Sequence, residues 1–242
     1  MQPAPKNRVR PLQALAALAR VMRDPDDTRN GARFVLALQG RRNEIGFQRF
    51  RAHPQGARIL AERRQLIDRL RDRAWLRSLD EGSLGRAYLD FVEREDLSAD
   101  GLREAVERAD AYYLALDAER RLVHDRIGDM HDLWHVLTGY GRDLIGENLL
   151  VFFTWKQLHT RAFRLIMPMT YLFNESRCPG FRALARDALR RGGDAVWLPV
   201  QDWETWLTLP LDEVREVSGV GSPPLYVPER SPGAPELAAS AH

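Results

Sequence analysis

Two histidines with three residues between them, His131 and His135, constrain this chain more than any other feature. On a helix with 3.6 residues per turn they lie about 40° apart around the axis, so that both imidazoles can converge on one point. An isolated pair of this kind is as often incidental as functional. Here the pair stands beside an aspartate and before a glycine turn and a glutamate, and this combination favours a metal site.

Asp132 lies about 100° from His131 and about 60° from His135 around the same helix. Its carboxylate can therefore complete the metal clamp, or it can orient one of the histidines from behind. The spacing alone leaves both roles open.

Glu147 must come from a second helix, because the segment 139–141, Gly-Tyr-Gly, is a helix stop and Asp143 is a suitable N-cap. Two antiparallel helices joined by this tight turn would bring Glu147 back over the histidines. The predicted ligand set suits Zn²⁺ or a two-histidine, one-carboxylate Fe²⁺ site. Its members are His131, Asp132, His135 and Glu147.

The composition argues against several classes of protein. The chain has 36 basic and 34 acidic residues, so its net charge gives no reason to expect nucleic acid as a partner. Cys178 is the single cysteine, which excludes an internal disulfide framework and a cysteine-rich zinc ribbon and fits a reducing compartment. The sequence has no apolar run as long as a membrane span and no signal-peptide core. We expect a soluble or peripheral protein.

Two basic segments are candidates for contact with a membrane. Residues 1–23 contain five basic and no acidic residues, and residues 179–191 form a second basic amphipathic helix. Each pattern fits an anionic membrane surface, and each fits an ordinary solvated helix face equally well.

Hydrophobic periodicity predicts an all-α fold, a single-domain helical bundle, with no β alternation, internal repeat or phosphate loop. A proline-rich extended segment begins at Ser222, so we predict one domain over residues 1–228 and a disordered tail over 229–242. Ser83 is the expected N-cap of a helix that leads to Tyr88, and a long helical stretch from Ser98 leads to the histidines. Other predicted helices cover residues 11–22, 29–38, 54–71, 202–207 and 211–217.

The segment 143–173 is apolar nearly all round, so it is either a central buried helix or the wall of a lipid pocket. Its periodicity favours the buried helix. Pro168 should kink or break it. His124 is predicted to pack or to support the ligands rather than to bind metal, because Gly128 weakens the case for a continuous helix up to His131.

These residues together resemble the signature of the Coq-four family of ubiquinone (coenzyme Q) biosynthesis proteins. The likeness rests on the HDxxH motif, the glutamate that follows it after eleven intervening residues, and flanking blocks over most of the chain. The flanking blocks are Arg10-Pro11, Asp24-Pro-x-Asp-Thr28, Gly82-Ser-Leu-Gly-Arg-Ala-Tyr88, Asp202-Trp-Glu204 and Pro210-Leu-x-Glu-Val-Arg215.

The resemblance implies a helical protein that binds a divalent metal, usually taken to be zinc, through the four residues named above. It implies oxidative decarboxylation of a polyprenylated 4-hydroxybenzoate, in which a hydroxyl replaces the C1 carboxylate. Glu147 and Asp132 would be catalytic. The prenyl tail would lie in an apolar tunnel, and the predicted substrate-binding residues are Tyr140, Leu149, Phe152, Phe153 and Trp155. Zn²⁺ has no redox chemistry of its own, so the oxidation would require O₂ acting on a bound phenolate, or Fe²⁺.

The implied partners are a polyprenylated quinone precursor, other ubiquinone biosynthetic enzymes, the membrane surface and a second copy of the chain as a homodimer. The Arg/Ala-rich composition favours the bacterial cytoplasm, peripheral to the inner membrane. In a eukaryote the corresponding place is the matrix side of the inner mitochondrial membrane.

Two other functions stay open. A non-catalytic prenyl-lipid carrier or scaffold would use the four ligands as a closed, structural zinc site. A hydrolase of the His-Glu-x-x-His type is weaker, because Asp132 stands where that motif has its general base and is shorter than a glutamate.

Overall fold

The computed structural model describes residues 7–23, 28–97 and 111–229. Within these ranges the chain folds almost entirely into helices, joined by short turns. The α-helices are α1 Pro11–Val21, α2 Thr28–Gln39, α3 Arg42–Ala52, α4 Pro54–Glu62, α5 Leu66–Arg71, α6 Arg73–Ser78, α7 Leu84–Arg94, α8 Ala111–Leu114, α9 Ala118–Thr138, α10 Leu144–Leu158, α11 Arg161–Phe173, α12 Phe181–Asp194, α13 Trp203–Trp206 and α14 Leu211–Val217.

The predicted all-α class is confirmed. Among the described residues no β-strand forms, and the backbone pairing of Ser83 with Pro210 is an isolated bridge. None of the helices in the described ranges is both long and apolar enough to cross a bilayer.

Two predicted helix boundaries were wrong. The helix predicted over 54–71 is two helices, because Arg63 adopts a left-handed conformation with φ of 52° and ends α4. Pro168 does not break its helix: α11 continues through it to Phe173. The break in the apolar segment lies earlier, where His159 takes a φ of 51° between α10 and α11.

The helix α3 was not predicted, and the predicted long helix before the histidines is interrupted. Residues 98–110 lie outside the described residues, and α9 begins anew at Ala118 with the Asp117 side chain as its N-cap. From there α9 runs without interruption past Gly128 to Thr138. The N-cap prediction for Ser83 is confirmed, since its hydroxyl accepts from the Arg86 backbone N–H.

The main core surrounds α9 and α10. Trp134 on α9 packs edge to face against Phe153 on α10, with ring centroids 6.3 Å apart, and both rings are buried. Helix α12 comes unusually close to α10: a Cβ on Gly192 would lie 2.5 Å from the Phe153 carbonyl oxygen, so only glycine permits this contact. Helix α10 is therefore the central buried helix that its composition favoured.

Helices α1, α2 and α11 share a second, smaller apolar cluster. Small residues at its centre, among them Ala14, Ala37 and Ala162, allow the helices to approach one another. The other side of α11 faces solvent: Leu172 and Phe173 are 60% and 67% exposed. The predicted burial of the whole segment 143–173 therefore holds for α10 but not for this face of α11.

A buried ion pair ties α9 to α13. The Arg126 guanidinium is 1% exposed and makes two bonds to the Glu204 carboxylate, of 2.6 and 2.8 Å. A third bond, of 3.0 Å, reaches the Gln201 carbonyl oxygen. Burial opposes the charge on Glu204, but the hydrogen bonds and attraction of Arg126 outweigh it and hold the pKa of Glu204 below its ordinary value.

We predict that Glu204→Gln destabilises the protein by about 3 kcal/mol, because it leaves a buried guanidinium without its counter-charge. The lowered pKa means that the carboxylate contributes stability above the ordinary glutamate pKa of about 4.3, and loses it as the pH falls through the lower folded-state pKa. Urea unfolding at pH 7 and at pH 3 measures this: the gap to wild type should be wide at pH 7 and narrow at pH 3. Glu213→Gln, an exposed position on α14, is the control. A gap of the same size at both pH values would contradict the prediction.

Candidate metal centre

The turn between α9 and α10 sets up the site. Gly139 ends α9 in a left-handed conformation, φ of 76°, and its N–H bonds to the His135 carbonyl oxygen. A Cβ at this position would also lie 2.3 Å from Pro223. Asp143 then begins α10, because its Oδ1 accepts from the backbone N–H groups of Ile145 and Gly146. The predicted helix stop and N-cap are thus both confirmed.

His135 is buried and held in one orientation. Its Nδ1 lies 2.9 Å from the Tyr140 carbonyl oxygen, and because a carbonyl can only accept, Nδ1 carries the proton. The Phe91 ring stacks on the imidazole, with centroids 5.6 Å apart and planes 20° apart. The other nitrogen, Nε2, is buried without a hydrogen-bond partner and presents a bare lone pair.

That lone pair faces a carboxylate. His135 Nε2 lies 3.5 Å from Glu147 Oε1, so two electron-rich atoms oppose each other with no hydrogen between them. One ligand atom from each of His131, His135 and Glu147 lies within 4.8 Å of the others. Two atoms at about 2.1 Å from a tetrahedral zinc ion are about 3.4 Å apart, so the measured separation suits a shared cation. The residues present therefore fit a divalent metal.

Asp132 is next to His131. Its Oδ1 lies 3.2 Å from His131 Nδ1, and it does not belong to the group of three. A carboxylate in this place orients a ligating histidine and strengthens it as a ligand. The structure thus gathers three of the four predicted ligands, and the role of Asp132 as a fourth ligand stays a prediction.

The pKa values of His131 and His135 are shifted in opposite directions. Burial lowers the pKa of His135 and outweighs the attraction of Glu147, so its neutral, metal-binding form is favoured. Burial also opposes the charge on His131, but the hydrogen bond and attraction of Asp132 outweigh it and raise the pKa of His131. Metal binding would therefore displace a proton mainly from His131.

Two arginines hold the last turn of α9, where helix carbonyl groups have no partner within the helix. Arg215 donates to the Val136 and Leu137 carbonyl oxygens, at 3.2 and 3.1 Å, and buried Arg191 donates to that of Thr138 at 3.1 Å. Their positive charges also suit the negative end of the helix dipole. These contacts fix the end of the helix that carries His135.

A cavity of about 190 Å³ opens beside His135. Helix α7 supplies one wall, and the end of α9 with its turn supplies the other. A cavity of about 150 Å³ holds benzene, whereas ligand pockets usually measure about 300–1,000 Å³. The space is therefore large enough for one aromatic ring. Its lining consists of Ala87, Phe91, Arg94, His135, Val136, Gly139, Tyr140 and Gly141.

The predicted substrate-binding residues divide into two groups. Tyr140 lines the cavity. Leu149, Phe152 and Phe153 are buried in the main core, and Trp155 is partly buried with its ring against His159. These four do not line the cavity beside His135, and their contact with a prenyl tail stays a prediction.

His124 packs rather than joining the metal group. Its ring meets that of Tyr113, with centroids 5.2 Å apart, and the cluster of possible ligands among the described residues does not include it. Several residues of the site were missed from the sequence: Phe91, Arg94, Arg142 and Tyr226. The Arg142 guanidinium lies 3.9 Å from Glu147 Oε1. Its place directly after the glycine turn was a usable signal, while Phe91 and Tyr226 are too distant in sequence to have given one.

A helical fold with a His, His, Glu group at a tight turn defines a candidate metalloprotein, and comparison with known proteins gives its family. Residues 44–224 match the family described as "Coenzyme Q (ubiquinone) biosynthesis protein Coq4". The chain belongs to this family. The resemblance inferred from the motif is thereby confirmed.

Individual relatives carry the same family description. The mitochondrial ubiquinone biosynthesis protein coq4 of Talaromyces stipitatus is 32% identical over 179 residues, which cover 71% of this chain and 58% of that protein. The COQ4 homolog of Bos taurus, also described as mitochondrial, is 31% identical over 183 residues, which cover 72% of this chain and 64% of that protein. The chain thus spans less than two thirds of the length of these relatives.

The fold has also been seen by crystallography. A protein from Nostoc punctiforme superposes with a TM-score of 0.58, covering 89% of this chain and 100% of its own, at 20% sequence identity. At that identity the likeness establishes a shared fold.

We predict that His135→Ala and Glu147→Ala each weaken Co²⁺ or Zn²⁺ binding by more than about 100-fold, because each removes a ligand from a three-residue group. Asp132→Ala should cost about 10- to 100-fold if it supports His131 from behind. His124→Ala is the matched control on the same helix and should bind metal as wild type does. Competition titration with a chelating dye measures all four affinities. A loss for Asp132→Ala as large as that for His135→Ala would make Asp132 a ligand.

Proposed function

We propose that this protein is a metal-dependent enzyme of ubiquinone biosynthesis, which replaces the C1 carboxylate of a polyprenylated 4-hydroxybenzoate derivative by a hydroxyl. One observation carries the proposal: the unpartnered Nε2 of buried His135 faces the Glu147 carboxylate at 3.5 Å, beside a cavity of the size of one aromatic ring. Membership of the family supplies the pathway.

The cavity accounts for the head of such a substrate. Phe91 supplies apolar surface to the lining, and Arg94 in the same lining offers a positive charge to a carboxylate. A divalent metal bound by His131, His135 and Glu147 would polarise carboxylate and phenol oxygens. Tail burial contributes about 25 cal/mol per Å² of apolar surface, so the isoprenoid would supply most of the affinity. The tail must lie outside this cavity.

The proposed reaction has a defined balance. The bond between C1 and the carboxylate carbon breaks and releases CO₂, and a bond from C1 to oxygen forms. The ring loses two electrons in this exchange, and O₂ is the proposed oxidant. In the proposed balance water supplies the hydroxyl oxygen, and O₂ takes up the two electrons and two protons and leaves as H₂O₂. Glu147 and Asp132 are the proposed acid and base residues. The Glu147 side chain is 41% exposed, so it is open to solvent while facing the site.

The exposure of the site favours catalysis over a purely structural zinc. His131 and Glu147 side chains are 42% and 41% exposed, whereas a closed structural site surrounds its ion with four protein ligands. Three ligands and an accessible side leave a position for substrate. The alternative, a prenyl-lipid scaffold that organises other biosynthetic enzymes, would need Asp132 to turn from His131 and complete the shell.

We also propose that the protein lies on the membrane where ubiquinone is made, in the bacterial cytoplasm, and that α11 contributes to this contact. Leu165, Met169, Leu172 and Phe173 form one exposed apolar face of α11 at helical spacing, and Arg161 and Arg164 flank it. On α1, Leu12 and Leu15 are exposed as well, near basic Arg8 and Arg20. Such faces can bury apolar side chains among lipids while their cations meet anionic headgroups.

We predict that Glu147→Gln abolishes quinone production while the fold stays intact. The amide keeps the size of the side chain but loses the negative charge that a divalent cation requires. Complementation of a strain that lacks its own family member, with quinone measured by liquid chromatography and mass spectrometry, gives the readout. The acidic precursor should accumulate. Full quinone production by a variant that no longer binds metal would favour the scaffold.

We predict that Leu172→Ser with Phe173→Ser weakens binding to anionic vesicles by at least about 10-fold, since each apolar side chain contributes about 1.5–3 kcal/mol when fully buried. Sedimentation with phosphatidylglycerol vesicles measures the bound fraction. Leu114→Ser, at another exposed apolar position, is the control. Deletion of residues 1–23 tests α1 separately: binding that survives it would count against α1 as the anchor.

A further inference from the structure

The peptide group between Tyr140 and Gly141 is hydrogen-bonded on both edges. Its carbonyl oxygen accepts from His135 Nδ1 at 2.9 Å, and its N–H donates to the Tyr226 hydroxyl at 2.7 Å. One rigid, planar unit therefore connects a predicted metal ligand with a residue from the last described segment of the chain.

The Tyr226 hydroxyl is in turn hydrogen-bonded to a carboxylate. It donates to Asp143 Oδ2 at 2.8 Å, so it accepts one hydrogen bond and donates another. The second oxygen of Asp143 accepts from the backbone N–H groups of Ile145, Gly146 and Glu229, at 3.0, 3.1 and 3.2 Å. A buried carboxylate with this many donors has a fixed position at the end of the series.

We propose that Tyr226 and Asp143 are positioning residues for His135, and that they act through the 140–141 peptide. The series runs from the Asp143 carboxylate through the Tyr226 hydroxyl and the peptide to His135 Nδ1–H. This proposal rests on the metal site proposed above, and it adds two residues that lie outside the group of ligands.

The physical basis is polarisation along the series. A tyrosine hydroxyl that donates to a carboxylate becomes a better acceptor, and a peptide whose N–H is bound becomes a better acceptor at its oxygen. A stronger acceptor at Nδ1–H holds His135 in the tautomer with a bare Nε2 and makes that nitrogen a stronger ligand. In many metal sites a carboxylate accepts the hydrogen bond of the ligating histidine directly. Here the Tyr226 hydroxyl and the 140–141 peptide lie between the Asp143 carboxylate and His135.

The Tyr226 hydroxyl packs against a glycine, which leaves room for it. A Cβ on Gly146 would lie 2.5 Å from the Tyr226 hydroxyl oxygen and 2.1 Å from the Gly141 carbonyl oxygen. Gly146, the residue before Glu147, thus leaves room for the Tyr226 hydroxyl between the 139–141 segment and the start of α10. The Leu144 N–H also bonds to the Glu229 carbonyl oxygen at 2.7 Å, so four hydrogen bonds attach residues 226–229 to the turn and the start of α10.

The segment that supplies Tyr226 was predicted from its prolines to be merely extended chain leading to a tail. Up to Glu229 it forms no helix or strand, and it is bonded to the metal turn. Tyr226 lies just beyond residues 44–224, the part of the chain that matches the family. The residues that position His135 therefore extend past the matched region.

The test compares wild type with Tyr226→Phe, Asp143→Asn and Tyr113→Phe. The Tyr226→Phe change removes only the hydroxyl. Tyr113→Phe is the matched control. The Tyr113 hydroxyl also donates to a carboxylate, that of Asp125 at 2.8 Å, and Asp125 lies on α9, the helix that carries His135. Co²⁺ titration followed by visible absorption gives affinity and ligand geometry, and thermal melting reports folding. Nitrogen-15 shifts of the His135 ring in metal-free protein report its tautomer.

We expect Tyr226→Phe to weaken Co²⁺ binding by about 10-fold and to change the Co²⁺ spectrum. In metal-free protein the His135 ring should shift from a single tautomer to a mixture. Asp143→Asn keeps an N-cap residue, so it should fold and reproduce both effects. Tyr113→Phe should change neither. Wild-type affinity, spectrum and tautomer in Tyr226→Phe would overturn the proposal.

The outcomes separate this inference from the proposed function. Failure of wild type to bind any metal would refute the function, while the nitrogen-15 shifts would still decide whether Tyr226 holds the His135 tautomer. Metal binding by wild type with an unaffected Tyr226→Phe would refute the positioning role and leave the metal site standing. If Tyr226→Phe melts well below wild type, Asp143→Asn supplies the same comparison.

Discussion

The reversal of the chain at Gly139 is the constraint on which the site depends. Because Gly139 takes a left-handed conformation, the Tyr140 carbonyl turns back to His135 Nδ1, and Asp143 can start a new helix four residues later. A side chain at 139 would suffer both the unfavourable φ and a collision with Pro223. One residue thus sets the direction of α10, the tautomer of His135 and the docking of the last described segment.

Burial leaves the Nε2 atom of His135 without a hydrogen-bond partner and available to a metal. The Phe91 ring covers one face of His135, and the main core behind it keeps water away from Nε2. A buried nitrogen lone pair opposite a carboxylate is unfavourable unless a cation lies between them. The fold can maintain such an arrangement because α9 is anchored independently, by the Arg126 ion pair in its middle and by Arg191 and Arg215 at its end.

The molecule separates a small polar site from large apolar surfaces. The cavity beside His135 has room for one ring, and the buried apolar residues of α10 lie in the main core. Exposed apolar side chains on α11 and α1 are the surface for which we propose contact with lipids. In the function proposed above, different parts of the fold recognise the head and the tail of the prenylated substrate.

The sequence by itself determined the helical class, the family and the local geometry of the site. Histidine spacing, the glycine stop and the Asp143 cap are all encoded within 17 neighbouring residues, 131–147, where helix periodicity and capping chemistry decide the outcome. Even there, the role of Asp132 was left open, since spacing on one helix cannot say which neighbour a carboxylate will choose.

Only the tertiary structure decided which distant residues complete the site. Phe91, Arg191 and Tyr226 contact it from sequence separations of 44 to 91 residues from His135, and no local pattern specifies such contacts. The apolar run 143–173 illustrates the same limit. Its two helices have similar compositions, yet α10 is enclosed by α9 and α12, whereas α11 packs on one side only and leaves Leu172 and Phe173 in solvent. Burial is decided by the neighbours that an element acquires, and these are not written in the element itself.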